Sequence, residues 1–281
     1  MNQRNLRAMV GALFIAQALI VPPEQASAAQ PARSIDVSVF PKEAKLVDQV
    51  LVPVPSEVFA VLDKLGKPNW PEVLRPQKSV VTPAGGREQV SLMLGVVIAE
   101  GFIAVEAENS EEVKNIGNSV RSLAKAIGVE KAVRNRANSI VEFADKRLWM
   151  EVRRELDLAL ADVRQAMIEL NSEALAQLVS LGGWLRGTEA LASVVGKNYS
   201  GDGAELLHQP VVVEHFNLRL KALPESVQQG ELISKILAGL KSIQPLMGGG
   251  SGENIREKNV RDIGRTCAEL VAAVQGKGKG K

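Results

Sequence analysis

Two isolated charged residues, Glu100 and Arg186, are the side chains whose positions most strongly indicate polar chemistry inside the protein. Glu100 is the one charged residue in the apolar stretch 91–105, and Arg186 stands between Leu185 and Gly187. A buried carboxylate is either paired or protonated, so we predict that the two side chains form an ion pair. One interpretation is a structural pair that fixes the register of two helices. The other is a polar spot in an apolar pocket.

Trp184 lies two residues before Arg186 and is predicted to form a wall of that pocket. Glu100, Trp184 and Arg186 are therefore the candidate ligand-binding residues. A second hypothesis is an enzyme that uses the carboxylate of Glu100, with Arg186 as its electrostatic partner. Catalysis requires several titratable groups to converge around one cleft. Because these charges stand alone in apolar segments, we assign no residue a catalytic role.

The two histidines, His208 and His215, are the only imidazole groups available for metal binding. Glu205 and His208 match the E-x-x-H spacing that places a carboxylate and an imidazole on one helix face in di-iron bundles. Those sites need a second E-x-x-H pair, and a site completed by Glu214 has too few ligands for the usual geometries. Because Pro210 interrupts the helix between the histidines, we predict two half-exposed histidines beside a kink, no metal and no cofactor.

Other catalytic motifs are absent from the sequence, which contains no H-E-x-x-H, C-x-x-C-H, G-x-S-x-G or Walker loop. Cys267 is the single cysteine, so an internal disulfide cannot form. Its position on an apolar stripe favours a small core residue over a reactive thiol. The glycine run 248–250 precedes a helix and is interpreted as a flexible link rather than an anion-binding loop.

The first 28 residues have the three parts of a cleavable secretory signal peptide. Arg4 and Arg7 form the basic region, residues 8–21 form the apolar region, and Ala26-Ser27-Ala28 fits the A-x-A cleavage rule. The alternative is an uncleaved anchor, but a spanning helix needs about 20 apolar residues and this stretch is shorter. We therefore predict cleavage after Ala28 and a periplasmic or secreted mature protein.

The composition disfavours nucleic acid as a partner. The chain carries a formal charge of +2, and the charges of the signal peptide and the lysine-containing tail account for that excess. Nucleic-acid binding needs a dense basic surface, and aromatic residues make up only 4% of the chain, too few for a base-stacking platform. The apolar stretch 91–105 is too short to cross a bilayer, so we predict no membrane span in the mature chain.

The distribution of proline divides the mature chain into an arm and a body. Ten of the 13 prolines lie between Pro22 and Pro83, so residues 29–82 are predicted to form an extended arm with one short helix between Ser56 and Gly66. Trp70 is expected to anchor this arm to the body. Residues 83–275 show helical periodicity and are predicted to form a bundle, followed by a disordered tail over residues 276–281.

Small residues predict a close crossing of two helices in this bundle. The first bundle helix, which we expect to have Thr82 as its cap and Pro83 as its first residue, is apolar on every side and therefore central. Glycines inside a helix cost about 1 kcal/mol each relative to alanine, so the glycines in the stretch 182–187 need a compensating contact. We favour tight helix packing over a ligand cavity as that contact. The two small-residue stripes expected to face each other are Ser180, Gly183, Gly187 and Ala190 on one helix and Ser91, Gly95 and Ala99 on the other.

These observations predict an all-α protein, a single antiparallel bundle of about eight helices around a buried apolar central helix, with an extended proline-rich N-terminal arm. The predicted role is a non-enzymatic binding or interaction module whose partner is an unknown protein or a small apolar ligand. The alternative is an enzyme that uses Glu100 with Arg186 in an internal pocket.

Overall fold

The computed structural model describes residues 68–77, 79–248 and 255–277. Over these ranges the chain is all-α without a β-strand, and its helices pack against one another, which confirms the predicted fold class. The predicted signal peptide, the short helix of the arm, most of the glycine link and residues 278–281 lie outside the described residues.

Eight helices of seven residues or more form the bundle within the described ranges, in agreement with the predicted number. Three shorter helices and one 3₁₀ turn (Gln244–Met247) accompany them. In chain order the helices are α1 (Trp70–Val73), α2 (Arg87–Glu106), α3 (Ser110–Ala126), α4 (Glu130–Asp145), α5 (Trp149–Glu169), α6 (Glu173–Lys197), α7 (Gly201–Glu205), α8 (Pro210–Lys221), α9 (Glu225–Gln228), α10 (Glu231–Ile243) and α11 (Glu257–Val274).

The helix α2 is the central helix of the bundle, as its apolar surface predicts. Every residue from Val90 to Val105 is buried, and α2 packs mainly against α6 and α3, with a smaller contact to α5. By length and composition α2 could cross a membrane, but 89% of its most apolar window is buried inside the bundle. Its apolar sides are therefore covered by neighbouring helices.

The helices α2 and α6 cross at close range through glycines, which confirms the predicted tight packing. A Cβ atom on Gly95 would collide with the carbonyl oxygen of Val179, and one on Gly182 would collide with that of Leu92. The predicted stripe is wrong at Gly187, because a Cβ placed there meets no heavy atom within 4 Å. The closest approach is thus confined to the first half of α6.

Four successive helical hairpins are closed by the same short turn. After α2, α3, α4 and α5, one residue takes a positive φ: Glu108 (51°), Gly128 (86°), Arg147 (55°) and Asn171 (50°). The following residue donates its N–H to a carbonyl five positions earlier, at 2.8–2.9 Å in each case. This bond satisfies a carbonyl at the helix end, and turns of this length make neighbouring helices antiparallel.

The start of α2 differs from the predicted one. Thr82 and Pro83 do not open the helix, which begins at Arg87 with Gly86 as the residue before it. The reason is local: Gly85 has a φ of 80°, a left-handed conformation that glycine adopts easily and an α-helix cannot include. Residues 82–86 are all exposed, and we call them the hinge.

Residues 70–77 and 79–81, which we call the strap, precede the hinge and lie against the bundle. Trp70, Val73 and Leu74 are buried, with 5%, 6% and 9% of their surface exposed, so the anchoring role predicted for Trp70 is confirmed. Leu74 leaves α1 with an extended backbone (φ −61°, ψ 137°). Pro76 favours an extended conformation in the residue before it, so the strap does not continue as a helix.

At its C-terminal end the described chain returns to the core through α11, which packs against α6 and α10. Cys267 on this helix is fully buried, with 0% of its surface exposed, as its apolar stripe predicts. Burial raises the pKa of the Cys267 thiol, so the reactive thiolate form is disfavoured.

Candidate functional site

Glu100 on α2 and Arg186 on α6 form the ion pair that their isolation in the sequence predicts. Arg186 Nε lies 2.5 Å from Glu100 Oε2, and the Glu100 and Arg186 side chains are 5% and 1% exposed. The pair therefore lies in the interior, where either charge alone would be strongly destabilising. The close crossing of α2 and α6 holds the two charges opposite each other.

The second oxygen of Glu100 and a second nitrogen of Arg186 bind the main chain of the strap. The N–H of Arg75 donates to Glu100 Oε1 at 2.6 Å, and Arg186 Nη2 donates to the carbonyl oxygen of Val73 at 2.7 Å. The ion pair thus contacts one carbonyl and one N–H that lie two residues apart. The place beside Glu100 where a pocket is predicted is filled by the protein's own main chain.

Glu189, three residues after Arg186, connects the ion pair to the side chain of Arg75. Arg75 Nη2 contacts Glu189 Oε1, while Glu189 Oε2 lies 3.5 Å from Arg186 Nη1 and accepts no hydrogen bond. Burial raises the pKa of the Glu189 carboxyl, and the guanidinium groups of Arg186 and Arg75 oppose that rise. Two arginines from distant parts of the chain therefore stabilise a carboxylate whose charge burial disfavours.

Glu112, in the first turn of α3, binds the strap two residues further along. The N–H of Gln77 donates to Glu112 Oε1 at 2.8 Å, and only 3% of the Glu112 surface is exposed. Burial raises the pKa of this carboxyl, while the hydrogen bond from Gln77 opposes the rise. Pro76, between the two donating residues, has no N–H, so the strap offers no main-chain donor at the intervening position.

Ser119 on α3 completes the row of acceptors. Its hydroxyl oxygen accepts the N–H of Val81 at 2.9 Å, and the hydroxyl lies 2.9 Å from Gln77 Oε1. Side chains from three helices thus surround the strap. We call the five of them, Glu100, Glu112, Ser119, Arg186 and Glu189, the strap groove.

Trp184 does not join this groove, so the predicted three-residue site does not form as one unit. Its Nε1 donates to Gln209 Oε1 at 2.7 Å, and its ring centre lies 5.6 Å from that of Phe216 on α8. Successive residues of a helix are rotated by about 100°, so Trp184 and Arg186 point to nearly opposite sides of α6. Trp184 packs towards α8, and Arg186 points towards the strap.

The histidines take different positions from the predicted ones. His215 is buried rather than half-exposed, at 7% exposure, because α8 packs it against α6, where its Nε2 lies 3.1 Å from Gln177 Oε1. His208 is exposed in the break between α7 and α8. No three His, Cys, Asp or Glu side chains in the described part of the chain are grouped so that they could hold a metal ion.

The sequence analysis misses four residues of the site: Arg75, Glu112, Ser119 and Glu189. Glu189 follows Arg186 by three positions, and helix geometry alone puts such residues on one face, so it could have been identified. Arg75 and Glu112 resemble ordinary surface charges until the strap is placed. Comparisons with protein-family models, with curated proteins and with solved structures find no match to this chain, so its function is inferred from the geometry of the site.

Proposed function

We propose that this chain is an exported, non-enzymatic binding protein that recognises an extended polypeptide segment through the strap groove. The observation that carries the proposal is the row of side-chain acceptors that take main-chain N–H groups from the strap. Export rests on the signal-peptide pattern of residues 1–28. In the structure the strap of the same chain occupies the groove.

The contacts favour a polypeptide over a small apolar ligand. The donors Arg75 and Gln77 lie two positions apart, and in an extended chain residues two positions apart face the same side. Main-chain groups are common to all sequences, so this kind of recognition tolerates different side chains at many positions. An apolar ligand would leave the buried acceptors without hydrogen bonds, which is destabilising.

The same contacts argue against catalysis by Glu100. A general acid or base must reach a proton on the substrate, whereas one oxygen of Glu100 binds Arg186 and the other binds the N–H of Arg75. At 4% exposure, Glu100 offers no open face while the strap is docked. A catalytic role would require release of the strap first.

A peptide with the sequence of residues 68–82 tests the proposal. It is labelled with a fluorophore and titrated into the full-length chain and into its Arg75→Ala variant, in which the strap loses its ion pair with Glu189. We expect saturable binding, measured by fluorescence anisotropy, with higher affinity for the variant because its own strap competes less well.

The matched control is the same peptide N-methylated at the positions of Arg75 and Gln77. This change removes the two main-chain donors and keeps every side chain. Hydrogen bonds to charged groups contribute about 1.5–3 kcal/mol, so we expect the methylated peptide to bind at least about tenfold more weakly. Equal binding of the two peptides, or no binding of either to the variant, would contradict the proposal.

A further inference from the structure

The part of the strap that follows α1 docks through contacts with the body. From Arg75 onward, the hydrogen bonds of the described strap main chain and of the Gln77 side chain have their partners on α2 (Glu100) and α3 (Glu112, Ser119). The ion pair of Arg75 has its partner, Glu189, on α6. The same contacts could therefore be made with the body of another molecule.

The hinge that joins the strap to α2 is free of buried residues. Residues 82–86 are all exposed, and Gly85 has a φ of 80°. An extended chain spans about 3.3–3.6 Å per residue, so the hinge reaches roughly 17 Å when straightened. If the hinge backbone took another conformation, the strap would point away from its own body. Because no hinge residue is buried, this change would not remove any hinge residue from the core.

The charges of the groove define what can take the place of the strap. The groove contains the carboxylates of Glu100, Glu112 and Glu189 and the guanidinium of Arg186. Without an occupant, Glu100 and Glu112 would lose their main-chain donors and Glu189 would lose its ion pair with Arg75, which is destabilising for buried groups. A replacement must supply the same N–H groups and a cation at the position of Arg75, and the strap of a second copy of this chain supplies both.

We propose that two copies of the chain exchange straps, so that the strap of each copy occupies the groove of the other. This inference rests on the proposed function and names the partner that brings the extended segment. Exchange keeps each strap–groove contact and changes only the path of the hinge, which gives a symmetric dimer. In the closed monomer the strap binds its own groove within one molecule, whereas the exchanged dimer requires two molecules to meet. A higher protein concentration therefore shifts the monomer–dimer equilibrium towards the dimer.

Charge reversal across the ion pair of Arg75 and Glu189 distinguishes exchange from docking within one molecule. Full-length Arg75→Glu and Glu189→Arg chains, with tags of different mass, are prepared separately and then unfolded and refolded as a mixture. Each variant alone has like charges across this pair. In an exchanged heterodimer both pairs have opposite charges, because the altered strap of one variant meets the altered groove of the other.

We expect native mass spectrometry to show a heterodimer fraction about tenfold or more above the dimer fraction of either variant alone. The double variant Arg75→Glu with Glu189→Arg, which has an opposite pair within one chain, is the control for folding. If the double variant refolds and the mixture shows no excess heterodimer, exchange is refuted, even if the single variants do not fold alone.

A second pair of variants, Arg75→Cys and Glu189→Cys, avoids charge reversal. Arg75 and Glu189 meet through the ends of long side chains, so their cysteine replacements are joined with a bis-maleimide that spans this distance. The refolded mixture should give a cross-linked heterodimer, and its absence would overturn exchange. Peptide binding to the Arg75→Ala chain without any heterodimer would refute exchange and leave the groove proposal standing. If neither peptide binding nor a heterodimer is observed, the groove proposal is contradicted as well.

Discussion

The main-chain N–H of Arg75 donates to Glu100 Oε1 at 2.6 Å, while the side chain of the same residue pairs with Glu189. One residue of the strap thus satisfies two buried carboxylates that lie on two different helices. A buried polar group that loses its partner costs about 1–3 kcal/mol, and a charged one costs more. The strap is therefore part of the polar interior of the fold and not an addition to its surface.

Removing Arg186 should be more harmful than neutralising its partner. Arg186→Leu leaves the buried carboxylate of Glu100 without its ion pair and should lower the free energy of unfolding by about 3–5 kcal/mol. Glu100→Gln keeps an oxygen that can accept the N–H of Arg75, so it should cost less. Urea unfolding of both single variants and the double variant measures their coupling, and a coupling energy near zero would show that the pair is not an energetic unit.

Burial of Glu112 should make the protein less stable as the pH rises. Its pKa is raised above the ordinary value of 4.5, so the folded protein binds this proton more tightly than the unfolded chain does. The resulting stabilisation is fully present below pH 4.5 and is lost as the pH rises through the folded pKa.

Glu112→Gln should therefore flatten this part of the pH profile, because glutamine carries no titrating proton and still accepts the N–H of Gln77. The measurement is the free energy of urea unfolding at a series of pH values from below 4.5 to neutral. Glu173→Gln, which removes a charge from an exposed first-turn position of α6, is the matched control. Equal changes of slope in the two variants would rule out the burial of Glu112 as the cause.

Alanine should have opposite effects at two glycines of the bundle. A Cβ at Gly95 collides with the carbonyl oxygen of Val179, so Gly95→Ala should force α2 and α6 apart and cost about 1–3 kcal/mol or more. Gly187 has no heavy atom within 4 Å of such a Cβ, so Gly187→Ala should add up to about 1 kcal/mol through helix propensity alone. Thermal unfolding of both variants checks the contrast, and equal midpoints would refute the close crossing.

Glycine should stabilise the turn between α4 and α5. Arg147 has a φ of 55°, and left-handed backbone costs a residue with a Cβ about 1–2 kcal/mol. Arg147→Gly removes that strain but gives the unfolded chain more freedom, so we expect a net gain of about 0.5–1 kcal/mol. Arg147→Ala keeps the Cβ and separates the backbone effect from the loss of the charge. If the alanine variant gained as much stability as the glycine variant, backbone strain would not be the reason.

The exported protein should begin at Ala29. The apolar region of residues 8–21 and the small residues at positions 26 and 28 fit the rule for signal-peptide cleavage. N-terminal sequencing of the exported protein measures the cleavage point. A variant with Ala28→Arg should keep its signal peptide because a large charged side chain does not fit the cleavage rule. Exported wild-type protein that still begins at Met1 would contradict the prediction.

The amino-acid sequence by itself determines the helical architecture, because helical periodicity is a property of residues within a few turns of each other. An all-round apolar surface places α2 in the centre, and an apolar stripe places Cys267 in the core. The same local reasoning pairs Glu100 with Arg186, since a charge in an apolar helix needs an opposite charge nearby.

Only the tertiary structure decides which segments meet. Arg75 and Glu189 are 114 positions apart, and no spacing rule connects an extended strap to the face of a distant helix. The direction of Trp184 towards α8 and the contact at Gly182 instead of Gly187 depend on how α6 is rotated against its neighbours. Rotation and long-range docking follow from the packing of the whole bundle, so the strap groove becomes visible only when all three of its helices are in place.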